Sequence, residues 1–195
     1  MKKLVTITSL LSVMLLAPMH TAYATDADGN DTPGDWVVTH YKPFGLWDTI
    51  CDEAIRKGQK VERCYIRYVD VFSPAPKFAA QYVFIEPQGQ GYKVEFGIEP
   101  GTTFNGASLM VQDGENIVWD FNPNECFERG ECFLTGADAD VFIQSMADTK
   151  SSEPLLVSDF NDRHGTDQVL EWGISKFSHA LADFQAESDK RGLRN

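Results

Sequence analysis

The segment AQYVFIEPQGQGYKVEFGI, Ala80 to Ile98, decides the fold class. It contains two runs rich in β-branched and aromatic residues, Ala80 to Glu86 and Tyr92 to Ile98. Their spacing is typical of strands, in which successive side chains point to opposite faces. The EPQGQG stretch where the runs meet holds the proline and glycines that favour a turn. The segment therefore predicts two neighbouring strands joined by a short connection.

Similar runs occur on both sides of this segment. They are Asp35 to Tyr41, Cys64 to Phe72, Ala107 to Val111, Ile117 to Asn122, Pro154 to Phe160 and Gln168 to Ile174. Short strands separated by glycine and proline turns are typical of antiparallel all-β sandwiches and barrels. The fold class is therefore predicted to be mainly β.

Two helices are predicted in the last third of the chain. Asp138 can cap the first, whose apolar residues are Val141, Phe142, Ile143 and Met146. Ser175 can open the second, whose apolar stripe is Phe177, Ala180, Leu181 and Phe184. That stripe suits a helix that covers an edge or an open end of the sheet.

The composition is that of a globular, acidic protein. Apolar residues make up 43% of the 195 positions, and 29 acidic side chains against 17 basic ones give a net charge of −12. A disordered chain would contain fewer apolar and aromatic residues. Nucleic acid is not expected as a partner, because phosphate binding needs clustered Lys and Arg.

The first 24 residues have the pattern of a secretory signal peptide. Lys2 and Lys3 precede an apolar stretch from Leu4 to Leu16, which is shorter than the roughly 20 residues that cross a bilayer. Cleavage is predicted after Ala24. Removing 24 of the 195 residues leaves 171, and losing two lysines leaves 15 basic residues against 29 acidic ones, or −14.

The rest of the chain is predicted to form one domain. Residues 25–34 are acidic and rich in Gly and Pro, which predicts a flexible leader. The β domain is expected at 35–187 and a polar tail at 188–195. No second apolar segment is long enough to span a membrane, so no transmembrane segment is expected in the mature chain and the location is predicted to be periplasmic or secreted.

Four cysteines in an exported chain predict two disulfides. They are Cys51, Cys64, Cys126 and Cys132. Three pairings are open, and loop entropy favours Cys51 with Cys64 and Cys126 with Cys132, each contributing about 2–3 kcal/mol. A zinc site or redox pair is disfavoured, because the spacings differ from those of zinc sites and no CxxC is present.

Several segments resemble the invasion-associated locus B family of exported bacterial proteins. They are Ile98 to Asp113 (IEPGTTFNGASLMVQD), Trp119, Phe121, Cys126 to Leu134 (CFERGECFL), Pro154 to Phe160 (PLLVSDF) and Ser175 to Phe184 (SKFSHALADF). The resemblance covers Trp36 to Phe184. It implies an immunoglobulin-like β-sandwich, an envelope or secreted location, no cofactor, no established enzyme activity and an association with virulence.

A local excess of cations lies between the first two cysteines. Its members are Arg56, Lys57, Lys60 and Arg63. If Cys51 and Cys64 close a loop, these side chains could meet an anionic lipid headgroup or an acidic protein face. The simpler interpretation is a solvated loop whose charges keep it soluble.

Catalytic and metal signatures are weak. Asp159, Asp162 and His164 could bind a metal or act as acid and base, although such residues also suit a polar turn. Asp26, Asp28, Asn30 and Asp31 resemble a calcium loop but lack its Gly and Glu positions. No nucleophile elbow or phosphate-binding loop is present in the sequence.

Three functions are therefore weighed, one of which is a structural envelope protein with no specific small ligand. The leading one is a non-enzymatic exported module that binds a protein or envelope component through its loops and strand edges. The alternative to it is a periplasmic hydrolase or metal-dependent enzyme that uses Asp159, Asp162 and His164.

Overall fold

The structure is a computed structural model that describes residues 35–73, 79–98, 103–121, 131–161 and 164–194. Ten strands and two helices make up this described part. In chain order they are β1 (Val37–Phe44), β2 (Trp47–Arg56), β3 (Gln59–Ser73), β4 (Ala79–Gln88), β5 (Gly91–Ile98), β6 (Thr103–Asp113), β7 (Asn116–Phe121), β8 (Glu131–Thr135), α1 (Gly136–Ala147), β9 (Leu155–Asn161), β10 (Asp167–Gly173) and α2 (Phe177–Lys190). The predicted signal peptide, 1–24, and leader, 25–34, lie outside the described residues.

The strands form two antiparallel sheets. The six-stranded sheet has the order β1-β2-β3-β4-β5-β8, and the four-stranded sheet has the order β10-β9-β6-β7. The two sheets pack as a sandwich, with one helix after β8 and the other near the C-terminus. The prediction of a mainly β, antiparallel sandwich with a final helix is confirmed.

Alternation along the strands gives the six-stranded sheet one buried face. In β3, Cys64, Ile66 and Tyr68 are buried, while the side chains between them are more exposed. The same alternation buries Tyr92, Val94 and Phe96 in β5. One face of this sheet therefore lies against the core, and the alternate side chains of these strands point to its other face and are more exposed.

Aromatic rings connect the layers of the core. Trp47 of β2 contacts Tyr68 of β3 and Phe177 of α2, with ring centroids 5.4 and 5.0 Å apart. Tyr68 in turn stacks on Trp172 of β10, with centroids 3.8 Å apart. Helix α1 contributes Phe142, which contacts rings of both sheets. Each helix therefore packs on the buried side of the six-stranded sheet.

Charged side chains attach α2 to strand β1. The Asp183 carboxylate accepts from Lys42 Nζ at 2.7 Å and lies 2.8 Å from His40 Nε2. Burial alone would raise the pKa of Asp183, but the hydrogen bonds with Lys42 and His40 outweigh it and lower that pKa below its usual value. A hydrogen bond from Arg191 likewise lowers the pKa of Glu187 on the same helix.

The structure differs from the sequence prediction between the first two cysteines. The predicted loop is a β-hairpin: β2 pairs with β3, and Cys51 lies directly opposite Cys64. The strand was missed because the charged residues between the two cysteines, including Arg56, Lys57 and Lys60, suggested a solvated loop. Asp52 is nevertheless buried, because Arg63 lies opposite it on β3 and pairs with its carboxylate.

The helix boundaries also differ slightly from the prediction. Helix α1 is preceded by Thr135 as its N-cap rather than by Asp138. Helix α2 begins at Phe177 and continues to Lys190, so its last turn lies within the segment 188–195 expected as a tail. Ser188 is buried in that turn, which makes it part of the packed domain.

Candidate functional site

The face of the six-stranded sheet that points away from the core carries a mixed set of charged and aromatic side chains. We call this surface the outer face. Its members are Arg63, Tyr65 and Arg67 of β3, Phe84 and Glu86 of β4, Lys93 and Glu95 of β5, and Phe133 of β8.

Strand register aligns part of the outer face into a row. The pairs Asp48–Arg67, Arg67–Phe84, Phe84–Glu95 and Glu95–Phe133 follow one another across five strands. Side chains directly opposite one another on neighbouring strands are close enough to interact. Groups from distant parts of the chain therefore form one continuous surface.

Arg63 is held in place by Asp52 and Trp36. Its Nε donates to Asp52 Oδ1 at 2.8 Å and its Nη2 to Asp52 Oδ2 at 3.3 Å. The guanidinium also lies 3.8 Å from the centroid of the Trp36 ring, and the Trp36 ring lies beside Arg56 as well. The Asp52 side chain is only 4% exposed, so its carboxylate is shielded from solvent, while the Arg63 side chain is 36% exposed. The two hydrogen bonds fix the orientation of the guanidinium.

Tyr65 lies between the two arginines of β3. Its hydroxyl donates to Asp52 Oδ2 at 3.4 Å, and its ring centroid is 5.7 Å from that of Phe84. Burial, followed by the negative charge of Asp52, raises the pKa of the Tyr65 phenol. Tyr65 therefore remains protonated and able to donate at neutral pH.

One terminal nitrogen of the Arg67 guanidinium is paired with a carboxylate. Its Nη2 donates to Asp48 Oδ2 at 2.8 Å, and Asp48 also accepts from the Tyr41 hydroxyl at 3.0 Å. That hydrogen bond, together with the charge of Asp48, raises the pKa of Tyr41. Asp48 thereby fixes the position of Arg67 on the outer face.

The acidic side of the outer face lies on β4 and β5. Lys93 Nζ is 3.7 Å from Glu86 Oε2 and 3.5 Å from Glu95 Oε2. The Lys93 ammonium therefore forms ion pairs with both carboxylates. Glu95 also accepts from the Tyr82 hydroxyl at 3.1 Å. Lys93 itself lies 4.5 Å from the centroid of the Phe133 ring.

An open cavity lies among the charged and aromatic side chains of β3, β4 and β5. Its volume is about 340 Å³. It is lined by Arg63, Tyr65, Arg67, Phe84, Glu86 and Glu95. This volume is within the range of small-molecule sites, about 300–1,000 Å³.

The predicted cationic cluster lies on the β2–β3 hairpin, but most of its charge is paired. Arg56 pairs with Asp35 at 2.9 Å, Lys60 with Glu53 at 2.6 Å, and Arg63 with Asp52. Hydrogen bonds with Glu53 and Glu62 also raise the pKa of Lys60. Lys57, in the turn, is the one member of the cluster without an ion pair within the described part. The hairpin is therefore less cationic than its sequence suggests.

The predicted disulfide between Cys51 and Cys64 is present. Their sulfur atoms are 2.06 Å apart, and both residues are buried. Cys132, on β8, is also disulfide-bonded. Its favoured partner, Cys126, lies outside the described residues.

The described residues contain only part of the alternative enzymatic site. Asp159 lies on β9 and His164 in the turn before β10, while Asp162 is outside the described part. The calcium-like residues Asp26, Asp28, Asn30 and Asp31 are outside it as well. Over the ranges that the structure describes, no group of three or more His, Cys, Asp or Glu is placed to hold a metal ion.

Sequence reasoning identified only Arg63 among the residues that line the cavity. Alternation in Cys64 to Phe72 could have placed Tyr65 and Arg67 on the face that Arg63 occupies. The other lining residues, Phe84, Glu86 and Glu95, join them through strand register, which the sequence does not specify.

Comparison with known proteins gives no relatives from which to assign this site: no family model matches the chain, and no curated protein or solved structure is significantly similar to it. Neither of the two described helices has the length and apolar character needed to cross a membrane.

Proposed function

We propose that this chain is an exported, non-enzymatic β-sandwich module that binds a protein or envelope component through its outer face. The proposal places it with the invasion-associated locus B family that its sequence resembles. The observation that carries the proposal is the face of the six-stranded sheet that points away from the core, where aromatic and charged side chains surround an open cavity.

The residues of the outer face suit recognition of a partner. Aromatic residues and arginine are enriched in protein interfaces, where they contribute much of the binding energy. Arg63 and Arg67 are already oriented by Asp52 and Asp48, so binding would immobilise fewer rotatable bonds.

Export is supported by the signal-peptide pattern and by the cysteines. The disulfide between Cys51 and Cys64 is compatible with an extracellular or periplasmic protein. Both locations would give the module access to envelope components.

Site-specific photocrosslinking in intact cells tests the proposed surface. A photoreactive residue replaces Phe133, which is 45% exposed on the outer face. The matched control replaces Val169, which is 59% exposed on β10 of the other sheet. We expect a discrete crosslinked product from position 133 and none from position 169. A product from position 169 alone, or equal products from both, would contradict binding through the outer face.

A further inference from the structure

We infer that the outer-face cavity, together with the row of side chains that crosses it, binds an uncharged β-1,4-linked glycan. This inference rests on the proposed function, because it names the class of envelope component that the outer face would recognise. Two observations carry it. The charged groups around the cavity are already paired, and two aromatic rings, Phe84 and Phe133, lie on one row of the sheet.

The pairing of the charged groups disfavours a charged ligand. Arg63 and Arg67 lie four residues apart on β3, about 13 Å between Cα atoms, and each is bound to a different aspartate. On the other strands, Glu86 and Glu95 share the ammonium of Lys93. An ionic ligand would have to compete with one of these ion pairs. A hydroxyl group can instead share a partner that already has a hydrogen bond, because it both donates and accepts.

The net charge around the cavity also disfavours an anion. Three cations and four carboxylates lie at the cavity or pair with its lining, which leaves one negative charge. They are Arg63, Arg67 and Lys93, and Asp48, Asp52, Glu86 and Glu95. The charge of −12 on the whole chain adds long-range repulsion of the same sign. An uncharged ligand is affected by neither.

Phe84 provides an apolar platform for a sugar ring. It lines the cavity, and its ring is tilted by 52° to that of Tyr65 and by 69° to that of Tyr82. Neither of these two neighbours therefore stacks face to face on it. A pyranose has C–H groups on its faces and hydroxyl groups around its rim, which suits an aromatic surface bordered by a few polar groups.

Hydrogen-bonding groups border this platform on both sides. Register places Phe84 between Arg67 of β3 and Glu95 of β5. A guanidinium has five N–H groups, and within the described part of the chain one of those on Arg67 donates, from Nη2 to Asp48. The Glu86 carboxylate has an ion-pair partner at 3.7 Å and, among the residues that the structure describes, no closer donor. Rim hydroxyls can thus donate to one side and accept from the other.

A second aromatic ring lies farther along the same row. Phe84, Glu95 and Phe133 lie opposite one another on β4, β5 and β8, so the two phenylalanines are two strands, or about 10 Å, apart. Phe133 is 45% exposed. Alternate units of a β-1,4-linked pyranose chain present the same face and are separated by about this distance. From Asp48 to Phe133 the row spans five strands, or about 19 Å, which matches a tetrasaccharide.

Calorimetric titration of the purified mature protein with soluble oligosaccharides tests the inference. The uncharged probes are cellotetraose, tetra-N-acetylchitotetraose and the corresponding disaccharides. We expect at least one tetrasaccharide to bind about tenfold more tightly than its disaccharide, because only the longer chain reaches both rings. The matched charged probes are cellouronate tetramer, which is anionic, and deacetylated chitotetraose, which is cationic. Each should bind more weakly than its uncharged counterpart.

Substitutions and NMR shift mapping locate the binding. Phe133→Ala should weaken tetrasaccharide binding about tenfold and leave disaccharide binding unchanged, whereas Phe84→Ala should weaken both. Ile117→Ala, at a position 59% exposed on β7 of the other sheet, is the matched control and should change neither. Circular dichroism checks that each variant is folded. Shifts mapped on the wild-type chain, expected in β3, β4, β5 and β8, decide the matter for any variant that is not.

Several results would overturn the inference. They are no binding of either uncharged tetrasaccharide, tighter binding of a charged tetrasaccharide than of its uncharged counterpart, equal binding of disaccharide and tetrasaccharide, and shifts in β9 and β10 instead. If a discrete crosslinked product from position 133 accompanies such a result, the proposed function stands and only the ligand class is wrong. If position 133 gives no product either, both the ligand class and the proposed function fail.

Discussion

At the scale of single residues, Gly97 is required by the packing of the outer face. A Cβ atom at this position would lie 1.9 Å from Cζ of Tyr82, so the tyrosine ring occupies the space that any side chain would need. The Tyr82 hydroxyl then reaches Glu95 on the same strand as Gly97. An aromatic ring over a strand glycine is a known way to compensate for the missing side chain.

Gly97→Ala should therefore destabilise the protein by about 1–3 kcal/mol, because the new methyl group displaces Tyr82 and breaks its hydrogen bond to Glu95. Gly173→Ala is the matched control, since its Cβ would meet nothing within 4 Å. That substitution should be neutral or slightly stabilising. Urea unfolding measures both, and equal effects would show that Tyr82 does not occupy this position.

At the scale of elements, the docking of α2 depends on an ionised Asp183. Its carboxylate joins the helix to His40 and Lys42 of β1, and its pKa is lowered in the folded state. A carboxyl whose pKa is lower in the folded than in the unfolded chain stabilises the fold above the unfolded value, which is about 3.9. That contribution is lost as the pH falls from there through the folded pKa.

Asp183→Asn should lower stability at neutral pH, and the difference from the wild type should shrink as the pH falls below about 4. Unfolding free energies measured across this acidic range check the prediction. Asp189→Asn, on the same helix, is the control, because that side chain is 61% exposed. A constant difference between Asp183→Asn and the wild type at every pH would contradict a role for the ionised carboxylate.

Several of the strands could be predicted from the sequence alone. The strands within 64–72, 80–86 and 92–98 were predictable because apolar side chains recur there at strand spacing. Strand β2 was not predictable in this way. Its buried Asp52 is tolerated because Arg63 lies opposite, and that pairing depends on the turn at Lys57 and Gly58, both of which have positive φ.

The candidate site was harder to predict from the sequence than the fold, because it also depends on how strands pair. Arg63 could be singled out by local charge, whereas the contributions of Phe84 and Glu95 depend on which residues lie opposite one another in neighbouring strands. Register arises from turn geometry and from burial of the whole sheet face. The sequence can therefore identify individual residues of the outer face, but it does not show that they lie next to one another.

At the scale of the whole molecule, export and disulfide formation are expected to occur together. A chain kept in a reducing cytosol would retain its thiols, whereas an exported one can form both bridges. Protein purified from its native host should begin at Thr25 and contain no reactive thiol. N-terminal sequencing and thiol titration under denaturing conditions measure this. Four free thiols on a chain that retains residues 1–24 would contradict export.

Binding through the outer face is the central claim, and carboxylate footprinting tests it on the unmodified protein. Carbodiimide labelling is compared with and without an envelope extract from the native host. Glu86, whose side chain is 40% exposed on the outer face, should lose labelling in the extract. Glu171, exposed on β10 of the other sheet, should be labelled equally in both samples. Protection of Glu171 with Glu86 unchanged would contradict the claim.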